Sequence, residues 1–118
     1  IPPGLEPRWP TDPDVAPPGG EPLSALWTRV HAACEELVDR AASSVVVVVT
    51  HVSPVKAVIG WVLGTPPPGA AGRLFVEDAG VSRIDVAGGE PVVRWFNRFG
   101  DQPGEGGEEP SGRLGPGR

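Results

Sequence analysis

The chain has 118 residues, a formal net charge of −5, 39% hydrophobic residues and a single cysteine. The negative charge disfavours a phosphate-backbone partner, so no nucleic acid is expected to bind this segment. Cys34 alone cannot form an internal disulfide, and no apolar run approaches the roughly 20 residues of a membrane span, which predicts a soluble, cytoplasmic protein without a membrane partner.

Glycine and proline divide the chain into three parts. Residues 1–20 are a Pro/Gly-rich leading segment, and residues 100–118 are predicted to be a disordered Gly/Pro/Glu tail, because neither can bury enough apolar surface to offset its ordering entropy. Residues 21–99 are predicted to form one small domain. A domain of this size has a core of only marginal stability unless a disulfide, a metal or another segment supports it.

The first predicted element is a helix over about residues 22–41. Pro22 suits its first turn, and Glu21 lies at the positive end of its dipole, where a carboxylate is stabilising in any protein. We expect Cys34 to be a core residue rather than a nucleophile. Apolar residues at steps of three and four form the buried stripe: Leu23, Leu26, Trp27, Val30, Cys34, Leu37 and Val38.

Five consecutive valines follow, from Val45 to Val49. A continuous β-branched run is typical of a strand covered on both faces, as inside a parallel sheet. A second helix is predicted to start at Pro54, with Ser53 as its N-cap, and to stop at Gly64. The order helix, strand, helix indicates an α/β layer fold.

Three consecutive prolines, residues 66–68, separate the second helix from three strand-like segments at residues 72–78, 80–87 and 91–99. They are separated by glycine-containing turns and are predicted to form a meander that extends the sheet at one side.

His51 follows the valine strand and precedes the second helix. The carboxyl ends of strands and the amino ends of helices together form crevices that favour anions, so His51 is a candidate phosphate ligand. The alternative is that its side chain caps the helix or bonds a loop carbonyl. His31 is expected at the helix surface or its edge, and Lys56 and Arg73 are expected to be solvated.

Three stretches together resemble a known family: PPGGEPLSALWTRV, VVVVVTHVSPVKAVIGWVLG and GVSRIDVAGGEPVVRWFN. They are similar to the C-terminal half of the histidine phosphatase superfamily, the phosphoglycerate mutase-like acid phosphatases, over roughly residues 8–101. The form THVSPVK most resembles the phosphatase domain of actinobacterial bifunctional ribonuclease H/acid phosphatases.

The resemblance implies a three-layer α/β/α phosphoglycerate mutase-like fold, incomplete here because the N-terminal central strand is missing. It implies that Glu21 is the general acid and that His51 bonds the transferring phosphoryl group, beside the amide of Val52. It implies a phosphorylated small-molecule substrate and no metal or other cofactor. Pro22 replaces the serine that usually follows the glutamate.

The family's nucleophilic histidine, in an Arg-His-Gly motif, has no counterpart in these residues, since neither His31 nor His51 follows an arginine. The expectation is therefore phosphomonoester hydrolysis through a phosphohistidine in the complete protein, of which this chain is a fragment that is inactive alone. The alternatives are a non-catalytic phosphate-binding or interaction module, and a decayed gene product. Phosphatase or mutase, the natural substrate and the oligomeric state stay open.

Overall fold

A computed structural model describes residues 11–100. In this range the α-helices are α1 (Leu23–Ala41), α2 (Val52–Leu63) and α3 (Pro67–Arg73), and the strands are β1 (Val81–Asp85) and β2 (Val92–Arg98). The strands form a two-stranded antiparallel sheet. The α/β class is confirmed, and the arrangement is consistent with part of a phosphoglycerate mutase-like fold. None of the described helices has the length and apolar character needed to cross a bilayer.

Helix α1 matches the predicted helix within one residue. Pro22 is its N-cap, and the Pro22 carbonyl accepts hydrogen bonds from the amides of Ala25 and Leu26. The Ser24 amide donates to the carbonyl of Pro13 at 2.8 Å, so the described part of the leading segment is bonded to the start of this helix. Residues 1–10 of that segment and residues 101–118 of the predicted tail lie outside the described range.

The core lies where α1 packs against α2 and α3. Trp27 is 4% exposed, and a Cβ placed on Gly60 would lie 2.8 Å from Cζ2 of its indole ring. Only glycine therefore allows α2 to approach Trp27 so closely. The Trp27 Nε1–H donates to the carbonyl of Thr65 at 3.4 Å. The buried hydrophobic residues in this part of the chain are Leu26, Trp27, Val30, Cys34, Ala57, Ile59 and Ala70.

Helix α2 begins two residues before the predicted start. His51 is its N-cap, and Ser53, the predicted N-cap, lies inside the first turn. The helix includes Pro54 because an amide in the first turn needs no intrahelical acceptor; the first intrahelical bond runs from the Val55 amide to the His51 carbonyl at 3.1 Å. The predicted stop is confirmed, since Gly64 caps the helix with a left-handed φ of 69°.

The valine run is the largest departure from the prediction. Residues 45–50 form no strand, and Val45, Val47 and Val49 are 90%, 82% and 92% exposed. The prediction of a buried strand is therefore wrong. Within residues 11–100 no neighbouring strand bonds the backbone of the valine run, and no layer covers its faces. Burial of a central strand depends on its neighbours, which this range does not supply.

The first of the three predicted meander strands is also wrong. Arg73 ends α3, and residues 74–78 form no strand. The side chain of Asn97 bonds this segment instead, accepting from the Glu77 amide at 2.8 Å and donating to the Phe75 carbonyl at 3.0 Å. The Asn97 side chain thus bonds one backbone N–H and one backbone C=O of this segment, which a neighbouring strand would otherwise have bonded.

The other two predicted strands form the β1–β2 hairpin. Val81 pairs with Arg98, Arg83 with Trp95 and Asp85 with Val92, with two irregularities in the register. The connecting turn at Ala87–Gly89 has positive φ at Gly88 (76°) and Gly89 (90°), which glycine adopts without steric cost.

Candidate active site

Glu21, the predicted general acid, precedes α1 and is bound by Arg29. Nε of Arg29 lies 3.0 Å from Oε1 and 3.2 Å from Oε2 of the carboxylate, and Nη2 lies 2.6 Å from Oε1. Both side chains are largely solvent-exposed, at 61% for Arg29 and 41% for Glu21. Hydrogen bonds from Arg29, helped by its positive charge, lower the pKa of Glu21 below its ordinary value. The carboxylate is therefore held in its ionised form over a wider pH range than a free glutamate.

Replacing Arg29 with glutamine is expected to raise the pKa of Glu21 toward the ordinary value for glutamate. The wild-type pKa is depressed in the folded chain, so the pair stabilises the fold above the unfolded-state pKa, and that contribution is lost as the pH falls through the folded-state pKa. A ¹³C NMR titration of the Glu21 carboxyl in both proteins measures the difference, with Glu36, which pairs with Arg40, as the internal control. If the Glu21 titration curves of the wild type and the variant were superimposable, Arg29 would not be the cause of the lowered pKa.

His51, the predicted phosphate ligand, is exposed at the N-cap of α2. Its carbonyl accepts the first hydrogen bond of the helix, but its imidazole makes no capping bond and no other hydrogen bond within residues 11–100. The alternative interpretation, in which the ring caps the helix or bonds a loop carbonyl, is therefore wrong for the described residues. Both ring nitrogens are available to a ligand.

Val52, whose amide was expected to face the phosphate, is the first residue of α2 and is 39% exposed. The amides of Val52 and Ser53 belong to the first helical turn, which has no intrahelical acceptors, whereas Pro54 has no N–H to offer. The positive end of the helix dipole lies at this same turn. Two amides and one imidazole therefore share the amino end of α2.

The structure does not join Glu21 to His51. Each lies at the amino end of its own helix, and α1 packs against α2. No hydrogen bond or ion pair links the two side chains within the described range; the carboxylate of Glu21 is engaged by Arg29 instead. The Arg29 contact was not predicted, because the residues are eight positions apart and helix-surface pairs are recognised in a sequence at spacings of three and four.

The remaining candidate residues have structural roles. The His31 Nε2–H donates to the carbonyl of Ala57 at 3.1 Å and joins α1 to α2. Cys34 is buried, and burial first, with the nearby Glu35 carboxylate second, raises its pKa to about 11, so it is a poor nucleophile at neutral pH. Lys56 is not simply solvated, because its Nζ donates to the carbonyl of Ala71 at 2.9 Å. No three His, Cys, Asp or Glu residues of the described range are grouped to hold a metal ion.

A comparison with protein families identifies the chain. The sequence pattern of the histidine phosphatase superfamily (branch 1) matches residues 1–98, which include both Glu21 and His51. This chain belongs to the histidine phosphatase superfamily. The superfamily comprises phosphatases and mutases that act on phosphorylated small molecules, and it is the family that the sequence motifs resemble.

Mycobacterial proteins are similar to this histidine phosphatase chain. It is 31% identical over 99 residues to the bifunctional protein Rv2228c of Mycobacterium tuberculosis and to an uncharacterized protein of Mycobacterium bovis. In each case the match covers 83% of this chain and 27% of the relative. The chain thus spans about a quarter of the length of these relatives. No solved structure matches it significantly.

Proposed function

We propose that this chain supplies one half of the active site of a phosphomonoesterase that works through a phosphohistidine. The observation that carries the proposal is the imidazole of His51, exposed and without a hydrogen-bond partner in residues 11–100, at the amino end of α2. A ring N–H of His51, together with the free amides of the first helical turn, is suited to stabilising the charge that develops on a transferring phosphoryl group. Superfamily membership supports the same role.

Glu21 is the proposed proton donor to the leaving group. A carboxylic acid near the departing oxygen protonates the alkoxide, and the resulting carboxylate then activates the water that hydrolyses the phosphoenzyme. The Arg29 contact lowers the pKa of Glu21, so the protonated form that the first step needs is most populated in acid.

The covalent step needs a nucleophile that these 118 residues do not contain in the family's Arg-His-Gly form. We propose that residues of the complete protein outside this sequence provide it, on a strand that pairs with Val45–Val49. The exposure of these valines supports the idea, since five adjacent β-branched residues favour a covered strand and lack a cover within residues 11–100. The similarity to bifunctional protein Rv2228c supports a second activity in the complete protein besides the phosphatase, and we propose a cytoplasmic location for it.

The test is hydrolysis of phosphomonoesters by the complete protein and by the 118-residue chain. We expect turnover of p-nitrophenyl phosphate and of an alkyl phosphate by the complete protein, and none by the chain alone. Glu21→Gln in the complete protein should slow the alkyl phosphate more than p-nitrophenyl phosphate, because the alkoxide is the leaving group that needs a proton. Phosphohistidine formation by the isolated chain, or equal loss on both substrates, would contradict this assignment of roles.

The second candidate function is a non-catalytic module that binds a phosphorylated ligand. It is favoured by the His51 imidazole, which has no hydrogen-bond partner among the described residues, in a chain whose Glu21 is already ion-paired. Inorganic phosphate should then raise the melting temperature of the isolated chain, because a ligand that binds only the folded state stabilises it. Stabilisation that His51→Ala abolishes and Glu21→Gln leaves intact indicates simple anion binding, whereas dependence on both residues indicates the enzyme's half-site.

A further inference from the structure

Arg29 contacts both carboxylate oxygens of Glu21 from within helix α1. Glu21 precedes the helix, whereas Arg29 is its seventh residue and lies about 9 Å along the axis from Leu23. The arginine side chain therefore extends back toward the amino end of the helix, the direction in which helical side chains tilt. Two of its nitrogens meet the carboxylate together, Nη2 at 2.6 Å and Nε at 3.0 Å from Oε1, with Nε also 3.2 Å from Oε2. Such a contact fixes both the place and the plane of the carboxylate.

The amino end of α1 does not hold the Glu21 side chain. Pro22 is the N-cap without a side-chain capping bond, and the first turn of the helix contains no acidic residue. A carboxylate at such a place would ordinarily turn toward the free amides of the first turn and the positive end of the dipole. The hydrogen bonds of the Glu21 carboxylate within residues 11–100 come from Arg29 instead. The carboxylate is therefore held beside the helix and not on its end.

The Glu21–Arg29 pair is too exposed to contribute much to the stability of the fold. Ion pairs between side chains that are largely in solvent add little to folding free energy. The pair between Glu36 and Arg40 on the same helix has the ordinary form, a single contact of 3.4 Å between residues four positions apart. The Glu21–Arg29 pair instead spans eight positions and engages both oxygens. What it determines is the place of one carboxylate rather than the stability of α1.

We propose that Arg29 is the positioning residue of the general acid: it holds the Glu21 carboxyl where its proton reaches the leaving oxygen of the substrate. This inference rests on the proposed function. In that reaction the bond from phosphorus to the leaving oxygen breaks, a bond from phosphorus to a histidine nitrogen of the complete protein forms, and the leaving oxygen takes the Glu21 proton. Water then gives a proton to the Glu21 carboxylate while its oxygen displaces the histidine nitrogen at phosphorus, which restores both groups. Arg29 bonds no reacting atom in either step and acts only through Glu21.

The position of the carboxyl governs both proton transfers. A proton donor acts only within hydrogen-bond reach of its acceptor, and a misplacement of about 1 Å costs up to about 10²-fold in rate. A glutamate without a partner rotates freely about its side-chain bonds, whereas two guanidinium nitrogens remove most of that freedom. Oε1 receives two contacts from Arg29 and Oε2 receives one, so Oε2 is the oxygen left to carry the proton.

The experiment measures kcat and KM of the complete protein for an alkyl phosphate and for p-nitrophenyl phosphate. We expect Arg29→Gln to lower kcat for the alkyl phosphate by about 10–10²-fold, with a smaller loss for p-nitrophenyl phosphate, whose leaving group needs no proton. KM should not change, because Arg29 does not bind the substrate. Arg40→Gln is the matched control, since it makes the same substitution in the Glu36 pair of the same helix, and it should change neither constant. A thermal melt of each variant verifies that it is folded.

The pH profile separates positioning from a merely structural role. The kcat/KM for the alkyl phosphate falls where Glu21 loses its proton, and Arg29 lowers the pKa of that group. In Arg29→Gln this limb should therefore move to higher pH while the maximal rate falls. Arg29→Lys keeps the charge without the planar fork, so it should return the limb toward its wild-type position without recovering the maximal rate. Full recovery of the rate by lysine would overturn the proposal, because charge alone would then be sufficient.

A double-mutant cycle tests whether Arg29 acts through Glu21. In the Glu21→Gln background, Arg29→Gln should lower kcat no further, because the proton donor that it positions is gone. Additive losses in the double variant would overturn the proposal. If Glu21→Gln slows the alkyl phosphate and Arg29→Gln does not, this inference is overturned and the proposed function stands. If Glu21→Gln itself has no effect, the proposed role of Glu21 is wrong, and this inference is overturned with it.

Discussion

If the proposed function is right, replacing His51 with alanine in the complete protein is expected to lower kcat by about 10²–10³-fold, the usual effect of removing one preorganised donor to a developing oxyanion. The imidazole lies at the N-cap of α2 and bonds no other group within residues 11–100, so its removal costs the fold little. The effect should therefore appear in catalysis and not in the melting temperature. Steady-state kinetics with p-nitrophenyl phosphate, together with a thermal melt of each protein, measure both quantities.

His31→Ala is the matched control for this experiment. His31 is the other histidine of the chain, and it donates to the carbonyl of Ala57 between two packed helices. Its replacement should lower the melting temperature and leave kcat unchanged. If His51→Ala retained wild-type kcat, or if the two variants lost activity equally, His51 would not be the group that binds the transferring phosphoryl.

The helices could be predicted from the sequence because their determinants are local. The apolar stripe that contains Trp27 and Cys34 is visible at helical spacing, and Gly64 marks the end of α2 by a conformation that favours glycine. The start of α2 was missed by two residues, because Pro54 fits the third position of a helix as well as the first. The short helix α3 was missed because its prolines and glycines were interpreted as a break between elements.

The strands were harder to predict, because a segment forms a strand only beside a neighbouring strand, and a local sequence pattern does not reveal that neighbour. Val45–Val49 have the composition of a buried central strand, yet they are exposed because no neighbouring strand is present in residues 11–100. The motif positions of Glu21 and His51 were evident in the sequence, and their places before α1 and α2 follow from it. The Arg29 contact, and the irregular register of the β1–β2 hairpin, arise from geometry that no spacing rule encodes.

Replacing Trp27 with alanine is expected to lower the free energy of unfolding of this chain by about 3–5 kcal/mol, as for other buried tryptophans. Trp27 is 4% exposed, lies against Gly60 and donates a hydrogen bond to the Thr65 carbonyl, so it joins α1 to α2 and to the α2–α3 connection. Urea denaturation followed by circular dichroism measures the change. Trp61→Ala is the control, because Trp61 is only partly buried and its Nε1–H bonds an exposed Glu35 carboxylate at 2.7 Å.

A double-mutant cycle with Gly60 separates the packing of Trp27 from a general loss of helix stability. In the wild-type background, Gly60→Ala places a Cβ 2.8 Å from Cζ2 and 3.0 Å from Nε1 of Trp27, and such overpacking costs about 1–3 kcal/mol. In the Trp27→Ala background that clash is gone, and alanine is then favoured over glycine inside a helix by about 1 kcal/mol. Gly60→Ala should therefore change sign between the two backgrounds, and additive effects would show that the indole does not hold α2 at this distance.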